Sequence, residues 1–110
     1  MDRRALVTSL IRLDAPLGNL RDALAALPMD ATPVATLTRA DIAAIVQRFQ
    51  AGEITAGDVE LWATLVECRE DIAFEARFEP AIADALYDLA NPEGPLEDLA
   101  DDVLALLGQR

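Results

Sequence analysis

The chain has no histidine, no lysine, one cysteine and one serine in 110 residues. Each absence removes a class of chemistry. Without histidine there is no side chain that titrates near neutrality, and nothing to activate a serine or cysteine nucleophile. With no second cysteine and no histidine, Cys68 forms neither an intrachain disulfide nor a zinc site. The five glycines are scattered, so no glycine-rich loop is present to cradle a phosphate. No apolar run approaches the length of a membrane span, and Arg12 interrupts the N-terminal apolar stretch too early for a secretion signal. A single cysteine fits a reducing cytoplasm, and a cytoplasmic protein is the expectation. These gaps argue against an enzyme, a cofactor and a membrane partner together.

Aromatic residues make up only 5% of the chain, and β-branched residues are also sparse. Leucine and alanine supply most of the 53% apolar content, which favours helix over strand. The length suits one helical domain over residues 1–110 with a core large enough to stand without staples. All nine basic residues are arginine, and their distribution is lopsided. Residues 1–55 carry six acids and six arginines; residues 56–110 carry fourteen acids and three, which accounts for the whole net charge of −11. Such a field repels nucleic acid and anionic membrane and attracts basic partners. A simpler alternative is that it only keeps the chain dissolved.

One pattern occurs twice. "LTRADI" begins at Leu37 and "ITAGDV" at Ile54. Each places Thr at an N-cap, Asp three positions later, and an apolar residue on either side. This is a capping box with Asp in place of Glu, flanked by a hydrophobic staple. Two helices are therefore predicted, one over 39–51, ended by Gly52, and one over 56–72. The short link makes them spatial neighbours. They do not read as a DNA-binding pair. The second helix opens with Asp58 and Glu60, and no arginine follows Gly52 until Arg69.

Apolar spacing predicts four more helices: 3–13, 15–27 behind a cap at Asp14 and closed by Pro28, about 80–90, and 95–107 closed by Gly108. Residues 33–37 suit a short extended piece. Phe74 and Phe78 read as core anchors near a bend. The whole is predicted to be all-α, a compact irregular or orthogonal bundle of five to six helices.

On a wheel of the second capped helix, Glu60, Thr64, Glu67, Glu70 and Asp71 share one arc. Leu61, Trp62, Leu65, Val66, Cys68, Ile72 and Ala73 fill a wide opposite one, with Trp62 as a core anchor. Glu60, Glu67, Glu70 and Asp71 are the candidate binding face. Carboxylates so spaced suit a hard cation, but there is no EF-hand loop and no Glu-x-x-His pair, so no metal is expected. Arg69 interrupts the apolar arc. No arginine of this chain has an acid three or four residues away. Arg69 is therefore expected to form a structural ion pair with another helix, at Asp84 or Asp88.

The stretch "GEITAGDVELWATLVECREDIAFE", from Gly52 to Glu75, with the later "LANPEGPL", resembles a family of small acidic bacterial proteins of no known activity. In size and acidity alone, the chain is similar to the immunity proteins that neutralise basic bacterial toxins. That likeness implies a non-enzymatic binder of a basic protein, and it carries no site residues across. A homodimeric scaffold built on the wide apolar arc is the alternative expectation.

Overall fold

The computed structural model describes residues 2–27 and 32–108. Its elements are α1 (Arg3–Arg12), α2 (Leu17–Ala25), β1 (Ala35–Leu37), α3 (Arg39–Gln50), α4 (Ala56–Glu67), β2 (Ile72–Phe74), α5 (Glu79–Ala90) and α6 (Leu96–Leu106). The fold is an all-α bundle of six helices with one two-stranded ladder.

Both capping boxes form. The Asp41 amide donates to Thr38 Oγ1 at 3.1 Å, and the Thr38 amide donates to Asp41 Oδ2 at 2.9 Å. Thr55 and Asp58 repeat this at 3.1 and 3.0 Å. Each box gives side-chain acceptors to two amides at the start of its helix. The first lies partly buried and the second is exposed. Thr38→Ala is therefore expected to cost about 1 kcal/mol and Thr55→Ala less. Urea denaturation of the two variants checks this, and equal or reversed effects would contradict it. Gly52, at φ 81°, closes α3 in the left-handed region as predicted.

α1 stops where Leu13 turns left-handed, at φ 50°. That conformation is unfavourable for leucine, yet Leu13 stays buried. Two neighbouring elements hold the turn. Arg48 of α3 donates to the carbonyls of Arg12 and Leu13 at 3.2 and 3.0 Å, and Trp62 Nε1 of α4 donates to Leu10 O at 2.7 Å. All three carbonyls lie at the end of α1; Leu10 O also accepts the Leu13 amide at 3.1 Å. α2 begins after Pro16, not at residue 15 behind Asp14. The proline ring keeps Ala15 out of the helical region, so an Asp14 cap has no helix to serve. The expected stop at Pro28 lies outside the described residues.

α4 is central, packed against α1, α2 and α3 and most extensively against α5. Val59, Trp62, Ala63 and Val66 are buried along it. It ends at Glu67, five residues before the expected Ile72. The chain then turns, and Ile72–Phe74 pairs in parallel with Ala35–Leu37, in the register Ala35↔Ile72 and Leu37↔Phe74. Two further bonds extend the ladder, Val34 N to Asp71 O and Glu75 N to Leu37 O, both 2.9 Å. Ladder bonds thus replace the helical ones that α4 gives up. No helix of the described residues is long and apolar enough to cross a membrane.

Candidate functional site

The early end of α4 splits the predicted acidic face. Glu60, Glu67 and Glu70 are exposed. Asp71 is not; its side chain is 1% exposed. Once the helix stops, position 71 no longer follows the helical wheel, and the carboxylate turns inward. There it accepts Arg69 Nε at 2.8 Å and Arg69 Nη2 at 2.7 Å, a two-pronged pair, and Arg3 Nη1 at 2.8 Å. Arg69 therefore pairs two residues along its own turn, and not with Asp84 or Asp88 of α5. The i+3/i+4 rule is a rule for helices, and Arg69 lies outside one. Arg3 was missed because nothing in its spacing points to residue 71.

The two-pronged Arg69 hydrogen bond holds the Asp71 carboxyl below the usual aspartate range, with Arg3 adding to it and burial opposing it. A third arginine is engaged nearby. The Arg39 backbone amide donates to Glu75 Oε1 at 3.0 Å, its Nε donates to the same oxygen at 3.2 Å, and its guanidinium lies 3.5 Å from the centre of the Phe78 ring. That backbone amide, followed by the guanidinium, lowers the Glu75 pKa. Phe78 thus serves as an arginine platform as well as packing against the core.

The arginines are largely spent on the chain itself, and the acids are not. Of the fourteen acids in residues 56–110, only Asp71 and Glu75 form an ion pair with an arginine among the described residues. Cys68 is exposed, contrary to its expected place in the apolar arc, because it caps the C-terminus of α4. Among the described residues, no group of three or more histidine, cysteine or acidic side chains is placed to hold a metal ion. The expected row Glu60, Glu67 and Asp71 does not converge, since Asp71 faces inward.

Two surface grooves lined by described residues bear on the candidate face. The larger, about 640 Å³, lies between the α1–α2 turn and the start of α4, and it includes Pro16, Arg48, Ile54, Asp58 and Leu61. Its Arg48 is bound to the end of α1, and its Asp58 is bound to the Thr55 amide. The smaller, about 390 Å³, is formed by Glu67 at the end of α4, Phe74 of β2, and Ala83, Asp84, Leu86 and Tyr87 of α5. Tyr87 is 61% exposed, the most exposed large apolar side chain of the described residues. Neither Glu67 nor Asp84 forms an ion pair among the described residues. The chemistry on offer is therefore recognition by open carboxylates beside an aromatic ring. Comparison with known proteins adds no relative to this picture: no family model, no curated protein and no solved structure matches the chain.

Proposed function

We propose that this chain is a non-enzymatic, acidic protein-interaction domain that engages a basic protein partner, in the manner of an immunity protein or antitoxin. One observation carries the reading. Glu60, Glu67 and Glu70 stand exposed and free of ion pairs among the described residues, while Arg3, Arg39, Arg48 and Arg69 are bound to other parts of the chain. The negative field therefore faces solvent with little internal compensation. A field of this kind speeds encounter with a positive surface and repels nucleic acid.

The homodimer alternative rested on the wide apolar arc of the Trp62 helix. Of that arc, Trp62, Val66 and Ile72 are buried within the chain and Leu61 and Leu65 are half-buried against the same core, so it supplies little argument for a second copy.

The test begins with capture of partners from lysate at low salt and their release at high salt. The triple variant Glu60→Arg, Glu67→Arg, Glu70→Arg then separates a specific face from general acidity. Asp71 is left unchanged because it is buried. Association of the captured basic protein with the variant is expected to slow at least about tenfold, with a flatter salt dependence. Unchanged association kinetics would sink the proposal.

A further inference from the structure

We infer that the groove between the end of α4 and α5 is an arginine-anchoring pocket, which takes the guanidinium of a basic partner between Tyr87 and the carboxylates of Glu67 and Asp84. This deepens the acidic-face reading and rests on it.

Four observations lead there. The groove, at about 390 Å³, is near the small end for ligand clefts, so it suits one anchoring side chain better than a whole ligand. Phe74 and Leu86 supply an apolar lining for an aliphatic stem, and Tyr87 supplies an exposed ring. Glu67 occupies the last turn of α4, which has no basic residue. A carboxylate there opposes the helix dipole, and the negative helix end adds to its own field. Such a local cost is of no benefit to the fold but draws a cation to that spot. Finally, the chain already binds one of its own arginines this way. Arg39 lies over the Phe78 ring while its Nε meets Glu75. The α4–α5 groove presents the same set of groups, an aromatic ring beside carboxylates, with no cation from the described residues bound to either acid.

Arginine fits better than lysine on chemical grounds. Its planar guanidinium stacks on a ring and meets two carboxylates at once, whereas an ammonium is a compact, strongly hydrated point charge.

The experiment uses the ¹⁵N-labelled full chain, titrated with nona-arginine and, at equal ionic strength, with nona-lysine. Nona-arginine is expected to bind more tightly, with the largest shifts at Glu67, Phe74, Ala83, Asp84 and Tyr87. Tyr87→Ala is expected to weaken it about five- to tenfold, and Tyr87→Phe to leave it within about twofold. Tyr87 is exposed, so neither change threatens the fold. Three results would overturn the inference. If Tyr87→Ala has no effect while Glu60→Gln with Glu70→Gln weakens both peptides equally, the pocket fails but the acidic-face reading survives. If neither peptide binds, both fail. If the same resonances move when the free protein is diluted, the groove is occupied by a second copy instead.

Discussion

Trp62→Ala is expected to lower the stability of the fold by about 3–5 kcal/mol, the range for removing a large aromatic side chain from a core. Trp62 is fully buried on the central helix, and it is the only tryptophan. Its loss has two parts. The first is a cavity among packed aliphatic side chains. The second is the 2.7 Å bond from Nε1 to Leu10 O, which ties α4 to the end of α1. Trp62→Phe separates them. It retains most of the packing and removes the bond, and Leu10 O still accepts the Leu13 amide at 3.1 Å. The phenylalanine variant is therefore expected to lose about 1–2 kcal/mol. Urea denaturation followed by far-ultraviolet circular dichroism reads both values. A midpoint unchanged in Trp62→Ala would contradict the central place of this side chain.

Asp71→Asn is the second large effect, about 2–4 kcal/mol at neutral pH. The carboxylate is buried between Arg69 and Arg3, whose side chains are only 19% and 17% exposed. An amide cannot balance two guanidinium groups. The pH dependence gives the sharper signature. The folded-state pKa of Asp71 lies below its ordinary value, chiefly through Arg69. Its contribution is therefore complete above the unfolded pKa of about 4, and it is lost as pH falls through the lower folded value. Glu75 shifts in the same direction through Arg39. The wild-type protein should thus lose stability below about pH 4. In Asp71→Asn the acid limb should be shallower, with the Glu75 part remaining. Stability measured against pH from about 7 down to 3 checks this. Parallel acid limbs in the two proteins would refute it.

Much of the fold was legible in the chain because its signals are local. Thr38, Asp41, Thr55 and Asp58 act within one helical turn, and the stripes of α5 and α6 repeat every three or four residues. The errors cluster where a distant contact overrides a local pattern. Helical spacing continues through Cys68, Asp71 and Ile72, but pairing with residues 35–37 ends α4 at Glu67. That one change buries Asp71, exposes Cys68 and redirects Arg69. The candidate face was therefore legible at Glu60, Glu67 and Glu70, which remain on the surface. The groove was not. It needs Glu67 and Phe74 brought beside Asp84 and Tyr87, and no spacing in the chain encodes that approach.

The small ladder also bears on the order in which the chain folds. Each capped helix can nucleate from residues a few positions apart, whereas β1 and β2 meet only after the whole α3–α4 pair has folded back on itself. Closing a loop of that length is slow relative to forming a helical turn, and its entropy must be met before any ladder bond is gained. The strand pair is thus expected to form after the capped helices, and the Arg3–Asp71–Arg69 cluster beside it depends on the same closure. The segment from Glu67 to Phe74, including one wall of the α4–α5 groove, therefore depends for its shape on this long-range closure.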